Sequence, residues 1–176
     1  MSTYLVFLRS INVAPRFVKM AALRGHLEAA GFGDVETYIQ SGNVRLASRA
    51  RSTEKVTETL EETLHAALGF EVKAVVRKPA ELAGTVENAP ASPLGDGARH
   101  YLTLLKDAPS AEAAEKLAAW EVEGERLQLT GRDVHLWITK PYNEVKASNA
   151  RVEKITGVAA TTRDWKVVTT LAAKWR

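Results

Sequence analysis

The stretch Val35-Glu-Thr-Tyr-Ile-Gln-Ser-Gly-Asn-Val-Arg-Leu-Ala47 decides the fold of this chain. Val35–Ile39 and Val44–Ala47 are short segments rich in β-branched and apolar residues, a pattern typical of strands. Between them, Gln40–Asn43 consists of residues that favour turns. We therefore predict two strands joined at this turn, and the other elements can be placed outward from them.

Each side of this pair of strands continues with one helix and one strand. Before it, Tyr4–Arg9 alternates as a strand, and apolar residues at helical spacing predict a helix that starts near Pro15 and closes at Gly31. After it, a second helix ends at Gly69, and Val72–Arg77 predicts a fourth strand. The order βαββαβ is that of the ferredoxin-like fold. The apolar helix positions are Phe17, Met20, Leu23, Leu27 and Ala30 in the first helix, and Val56, Leu60, Leu64 and Leu68 in the second.

A loop rich in proline and glycine, Asn88–Gly97, divides the chain. Strand, helix, hairpin and helix then follow in the same order, and a helix over Trp165–Trp175 takes the place of a last strand. We therefore predict an α+β fold of two tandem ferredoxin-like βαββαβ-type units, with mixed or antiparallel sheets and a C-terminal helix. The units are predicted at residues 1–86 and 98–176, joined by residues 87–97.

The composition excludes several classes of chemistry. The chain has 176 residues and no cysteine, which excludes disulfides, thiol catalysis and cysteine-ligated metals. The N-terminal apolar run is too short for a signal peptide and no segment is long enough for a membrane helix, so we expect a cytoplasmic protein without membrane contact. The four histidines lack a metal-binding spacing, so we expect no metal, and no cofactor motif is evident.

The positive charge of the chain is concentrated at one end. The formal net charge is +3, which is modest for a dedicated DNA-binding domain. Residues 140–176 hold eight basic and three acidic side chains. This distribution favours an acidic ligand near the C-terminal end.

Three motifs of this chain resemble those of a known family. They are Leu8-Arg9-Ser10-Ile11-Asn12-Val13, Thr37-Tyr38-Ile39-Gln40-Ser41-Gly42-Asn43-Val44 and Thr161-Thr162-Arg163-Asp164-Trp165. In this order they are similar to a bacterial family known as domain of unknown function 1697. The resemblance implies a duplicated ferredoxin-like α+β fold and no established activity. The chain departs from the family pattern at Ser10, at Ala14-Pro15 and at Asp164.

The first two motifs form the main candidate site. In a βαββαβ unit, the end of the first strand and the turn after the second strand can converge. Arg9 and backbone amides would then bind a phosphate or a carboxylate. The alternative is a structural turn whose side chains bond their own backbone. The candidate residues are Arg9, Ser10, Asn12, Tyr38, Gln40, Ser41 and Asn43.

The C-terminal motif is the second candidate. Thr162 and Arg163 are predicted to open the last helix, where Thr162 or Asp164 caps it and Arg163 faces outward towards an anion. The alternative is a capped helix without a ligand, in which Trp165 belongs to the core.

A basic segment after the second hairpin is the third candidate. Lys140 or Lys146, close to Tyr142, has the chemistry for phosphate binding or acid–base catalysis. The alternative is an exposed basic loop. The two lysines are not distinguished by the sequence, and no catalytic residue can be named.

Together these candidates favour binding, with or without turnover, of a small anionic metabolite or nucleotide. The motifs hold no strong nucleophile, so the sequence leaves open whether the protein is an enzyme. A less favoured alternative is single-stranded nucleic-acid binding, for which His135 and Trp137 lie on one strand face and could stack a base. A further alternative is an interaction or oligomeric module that uses a free sheet edge.

Overall fold

The computed structural model describes all residues from Met1 to Arg176. The chain has an α+β architecture with two four-stranded antiparallel sheets. The α+β class is therefore confirmed, and of the two predicted alternatives, mixed or antiparallel, both sheets are antiparallel. Two compact units are present, one formed by Met1–Leu82 with Trp175–Arg176 and the other by Ala83–Lys174. None of the helices has the length and apolar character needed to cross a bilayer.

The first unit contains four strands and two complete helices, in the order predicted from the sequence. Its longer helix is capped by Ser52, whose hydroxyl accepts the Lys55 N–H at 3.1 Å, and is ended by Gly69 at a φ of 77°. The elements are β1 (Ser2–Leu8), α1 (Met20–Ala29), β2 (Gly33–Tyr38), β3 (Asn43–Ser48), α2 (Thr53–Leu68) and β4 (Ala74–Arg77), followed by α3 (Pro79–Glu87).

The sheet of the first unit has the strand order β2-β3-β1-β4. Val6 of the central strand β1 pairs with Val44 of β3 and with Val76 of β4. Because side chains alternate along a strand, Tyr4, Val6 and Leu8 point to one face. This face packs against α1 and α2 to form the core. The buried helix residues of this core are Leu23, Leu27, Val56, Leu60 and Leu64.

The second unit repeats this order of elements. Ser110 and Ser148 cap two of its helices by accepting the N–H groups of Ala113 and Arg151. A single 3-10 turn spans Tyr142–Glu144. The elements are β5 (Arg99–Leu105), α4 (Ala111–Ala118), β6 (Glu125–Thr130), β7 (Asp133–Ile138), α5 (Asn149–Thr156), β8 (Ala160–Asp164) and α6 (Trp165–Lys174).

The sheet of the second unit has the strand order β6-β7-β5-β8, which is the order of the first sheet when strands are numbered within each unit. Leu102 of β5 pairs with His135 of β7 and with Arg163 of β8. One face packs on α4 and α5, and the alternation places His100, His135, Trp137 and Arg163 on the other face. The core on the helix side contains Leu105, Leu117, Val134, Val152 and Ala160.

The predicted C-terminal helix is present as α6, but the prediction that it takes the place of a last strand is wrong. Thr162 and Arg163 do not open a helix but lie in strand β8, where Thr162 pairs with Thr103 of β5. The second unit therefore has a last strand, which the predicted helix over Trp165–Trp175 was expected to replace. The physical reason is that β-branched threonines suit a strand, and β5 offers an edge that only pairing can satisfy.

The predicted start of the first helix is also wrong. Helix α1 begins at Met20 rather than near Pro15. Phe17, which fits the apolar stripe of the predicted helix, is 70% exposed. The reason is Asn12, whose side-chain oxygen accepts the Val18 N–H at 2.8 Å and thereby closes the preceding residues into a loop.

Candidate functional site

Two loops of the first unit meet around Asn12. They are residues 9–19 and residues 39–42, and they are called the Asn12 loop pair below. Asn12 Nδ2 donates to the Gln40 carbonyl oxygen at 2.5 Å, while Asn12 Oδ1 accepts the Val18 N–H at 2.8 Å. One side chain therefore joins both loops, and the two predicted segments converge.

A close backbone approach at Gly42 also holds the Asn12 loop pair together. The Leu8 N–H donates to the Gly42 carbonyl oxygen at 2.9 Å. Gly42 has a φ of 76°, and a Cβ at this position would lie only 2.9 Å from the Leu8 Cβ and 3.4 Å from the Ile11 Cβ. Both the dihedral angle and the lack of space require glycine here.

The backbone of the loop pair is strained at three residues other than glycine. Ser10 and Asn12 each have a φ of 57°, and Ile39 has a φ of 50°. Asparagine tolerates this conformation, but for a β-branched residue it is a genuine outlier. The conformation costs about 1–2 kcal/mol per residue, and Ile39 is 50% exposed, so burial offsets little of this cost. Strain of this kind is typical of functional sites.

Most of the predicted ligand residues line these two loops. Arg9 is half-buried, and its Nη1 donates to the Ser10 hydroxyl at 2.9 Å. Gln40 is exposed and Ser41 is half-buried. The structure therefore brings the Arg9–Asn12 and Gln40–Ser41 parts of the prediction together near the surface.

The other two predicted residues of these motifs, Tyr38 and Asn43, make structural contacts. Asn43 is completely buried, and its Nδ2 donates to the Ser41 hydroxyl at 2.8 Å and to the Tyr38 carbonyl oxygen at 3.1 Å. The ring of Tyr38 meets that of Trp175 edge to face, with centroids 6.5 Å apart. The structural alternative therefore describes Asn43, whose buried amide holds the turn.

Exposed apolar side chains surround the same loops. Val13, Phe17 and Ile39 are 61%, 70% and 50% exposed, and they are three of the five large hydrophobic residues that the protein exposes. Each adjoins a member of the Asn12 hydrogen-bond group: Val13 follows Asn12, Phe17 precedes Val18, and Ile39 precedes Gln40. We call these three residues the apolar rim. Sequence reasoning missed it, because Phe17 fits a helical stripe and Ile39 fits a strand.

The segment that carries the first of these loops is basic. Residues 1–27 contain four Lys and Arg side chains and no Asp or Glu. Arg16 is exposed, with its guanidinium 5.2 Å from the centre of the Phe70 ring. Lys19 is exposed and forms no ion pair, and Arg24 Nη1 donates to the Thr37 hydroxyl at 2.7 Å. Arg16 also interacts electrostatically with the exposed Glu71, so Lys19 is the exposed cation of this segment that most directly offers its charge to an anion.

The second candidate site does not have the predicted geometry. Arg163 is buried, and its Nη1 donates to the Thr161 hydroxyl at 2.6 Å and to the Thr162 carbonyl oxygen at 2.9 Å. Burial lowers the pKa of Arg163 to about 10. Thr162 contacts Asn149 and Thr103 through its hydroxyl. The sequence prediction required Arg163 to face outward, but in the structure this side chain is buried.

Lys140 forms an ion pair with a buried carboxylate in the second unit. Its Nζ lies 2.6 Å from an oxygen of Glu125, which is completely buried and also accepts the N–H groups of Lys146 and Ala147. Burial alone would raise the pKa of Glu125, but these hydrogen bonds more than offset it, so the pKa is lowered. A cleft of about 610 Å³ lies beside Lys140 and Lys146, but Glu121 and Glu123 also line it, so its charge is mixed.

A cluster of histidine and tryptophan rings lies on the sheet of the second unit. His100 stacks between Trp165 and Trp137, with ring centroids 4.1 and 4.9 Å away, and its Nε2 lies 2.8 Å from His135 Nδ1. Burial, together with the neighbouring His135, lowers the pKa of His100 to about 4. The nucleic-acid alternative required His135 and Trp137 to stack a base. They cannot do so, because they are only 1% and 2% exposed. No group of three or more residues in the chain is arranged to hold a metal ion.

Comparisons with known proteins identify a family and a fold. The sequence profile of a family described as "Protein of unknown function (DUF1697)" matches residues 1–135. A conserved bacterial protein from Streptococcus pneumoniae has a similar structure, with a TM-score of 0.80, 22% sequence identity, and coverage of 99% of this chain and 98% of that one. No curated protein matches the chain. These matches establish the fold but assign no activity.

Proposed function

Since this chain belongs to the DUF1697 family of proteins of unknown function, we propose a function from its geometry: the Asn12 loop pair binds the phosphate or carboxylate group of an anionic ligand. A small anionic metabolite or nucleotide is the simplest ligand of this kind. The observation that carries the proposal is the charge of the segment that holds the first loop: residues 1–27 contain four basic and no acidic side chains, and of these Arg16 and Lys19 are exposed.

The electrostatics of the loops support this proposal. Lys19 is exposed and pairs with no carboxylate, so its ammonium group is accessible to a ligand. Arg9 adds a planar guanidinium beside the Ser10 hydroxyl, and arginine is well suited to bidentate contacts with phosphate or carboxylate.

The strained backbone supports it as well. Backbone conformations that lower stability, and that are not compensated by burial of the side chain, are expected mainly at functional positions. Ile39 combines a φ of 50° with 50% exposure of its side chain. Asparagine or glycine would hold the same turn at lower cost.

Further proposals and predictions concern the fold of each unit, the location of the protein and its interactions. We propose that each unit is ferredoxin-like, which is supported by the element order βαββαβ in both units and by strand orders that correspond to each other. The cytoplasmic location and the interaction-module alternative stay predictions.

The proposal is tested by thermal unfolding in the presence of inorganic pyrophosphate. A ligand at about 100 times its Kd stabilises the folded state by about 2.7 kcal/mol. We expect pyrophosphate to raise the Tm of the wild type, and we expect Lys19→Gln and Arg9→Gln to reduce this shift. Lys166→Gln is the matched control, because Lys166 is an exposed lysine of the second unit. A shift that is equal in all four proteins, or no shift in the wild type, contradicts the proposal.

A further inference from the structure

The apolar rim requires an explanation that phosphate binding does not supply. Phosphate groups are bound by cations and by N–H or O–H donors, and none of Val13, Phe17 and Ile39 offers these through its side chain. Exposing these side chains leaves apolar area in water at a cost of about 25 cal/mol per Å². The ligand of this site is therefore expected to have an apolar part as well as an anionic one.

The openness of the rim limits the shape of that ligand. Enclosed small-molecule sites bury most of the ligand surface in a concave pocket. The Phe17 side chain is 70% exposed and that of Val13 is 61% exposed, so neither lies inside such a pocket. An exposed aromatic ring is suited to stacking against one flat group of an extended ligand. The other groups of that ligand then make most of the contacts.

The basic side chains extend from the loop into the following helix. Arg16 and Lys19 lie on either side of Phe17 in the chain, and Arg24 lies on α1 beside Thr37. Cations that alternate with an exposed aromatic ring match a strand in which phosphates alternate with bases. A protein partner would require acidic and apolar groups at the same spacing, which is a more specialised arrangement.

We propose that the Asn12 loop pair binds single-stranded nucleic acid, an inference that rests on the proposed anion binding by the same loops. Phe17, supported by Ile39 and Val13, stacks a base. Arg16 and Lys19 contact the phosphates on either side of that base. The contacts do not depend on base identity, because every base has a face that can stack.

The inference is tested by fluorescence anisotropy of a labelled oligothymidylate of about 12 nucleotides, with thymidine monophosphate and pyrophosphate as competitors. We expect Phe17→Ala to weaken oligonucleotide binding about tenfold, as expected for loss of one base stack. We expect Lys19→Gln to reduce the slope of log K against log salt by about 0.7, the value for one phosphate contact in a single strand. Phe17 is exposed, so its replacement should leave the fold intact, which thermal unfolding checks.

Matched controls lie in the second unit. Tyr142 is an exposed aromatic residue and Lys166 an exposed lysine, and Tyr142→Ala and Lys166→Gln should bind the oligonucleotide like the wild type. Three results overturn the inference while the proposed anion binding stands. In the first, pyrophosphate and the mononucleotide bind but the oligonucleotide binds no more tightly than they do. In the others, Phe17→Ala binds the oligonucleotide like the wild type, or Tyr142→Ala weakens binding as much as Phe17→Ala does. If none of the three probes binds, both proposals are wrong.

Discussion

The two units share one strand order but differ in the loops that follow their first strands. In the first unit, residues 9–19 connect β1 to α1, whereas in the second unit residues 106–110 connect β5 to α4. The turns within the hairpins differ too, with residues 39–42 in the first unit and residues 131–132 in the second. Equal topology therefore leaves the connections free to differ: the long loop after the first strand belongs to the first unit, whereas the long exposed connection of the second unit is residues 139–148, between β7 and α5.

Backbone strain follows the same division. All four residues other than glycine with a positive φ lie in the first unit, whereas the second unit uses glycine at such positions, for example Gly131 at a φ of 62°. Buried polar side chains are more numerous in the second unit, with six against four in the first, and they include Glu125, His135 and Arg163. The second unit therefore buries more of its polar groups, whereas the first unit places three of its residues other than glycine with a positive φ in the Asn12 loop pair.

The largest expected effect concerns Glu125. Glu125→Ala removes a buried carboxylate and leaves Lys140 and two N–H groups without their acceptor. We expect a loss of about 3–5 kcal/mol, as for one partner of a buried ion pair. Urea unfolding measures it, with Glu121→Ala as the control because Glu121 is exposed. A loss below about 1 kcal/mol would mean that this buried charge does not stabilise the second unit.

The next effect is a dependence on pH. The pKa of His100 is lowered from 6.5 to about 4 in the folded state, so between these values the unfolded chain binds the proton and the folded chain does not. Stability is therefore complete above about pH 6.5 and declines as the pH falls towards 4, by up to about 3 kcal/mol. His100→Phe, which keeps a ring between the tryptophans, should flatten this part of the profile in urea unfolding. An unchanged profile would contradict a neutral, half-buried His100.

The smallest of these effects tests the close approach of the two loops. Gly42→Ala places a methyl group 2.9 Å from the Leu8 Cβ in a left-handed backbone, and we expect a loss of about 2–3 kcal/mol. Gly31→Ala is the matched control, because Gly31 has a φ of 92° and nothing within 4 Å of the added carbon, so that its expected loss is about 1 kcal/mol. Equal losses in thermal or urea unfolding would show that Gly42 is required only for its dihedral angle.

The elements that local patterns encode were predicted well. The stripe of Val56, Leu60 and Leu64 identifies α2, and its end at Gly69 follows from the left-handed conformation that glycine favours. The turn at Gln40–Asn43 was recognised for a similar reason, since its residues prefer turns in any context. Within the candidate site, the two segments that the sequence predicted to converge do meet, through the hydrogen bond between Asn12 and Gln40, and the ligand-binding role of their residues stays a prediction.

Features that depend on distant partners were not predicted. Phe17 continues the apolar spacing of α1, but the hydrogen bond between Asn12 and Val18, together with backbone hydrogen bonds within residues 12–17, holds it in a loop. Strand β8 depends on the free edge of β5, which no residue near Thr162 encodes. His100 and His135 are far apart in the chain, so only the pairing of β5 with β7 brings their rings together.

By itself, the sequence determined the α+β class, the order of elements in the first unit and the two segments that form the Asn12 loop pair. It did so because helix spacing, strand alternation and turn residues act over a few neighbouring positions. Only the tertiary structure decided that Phe17 and Ile39 are exposed, that Arg163 is buried and that Lys140 neutralises Glu125. Burial and charge pairing are set by which distant residues meet, and this depends on how the strands pair and the helices pack.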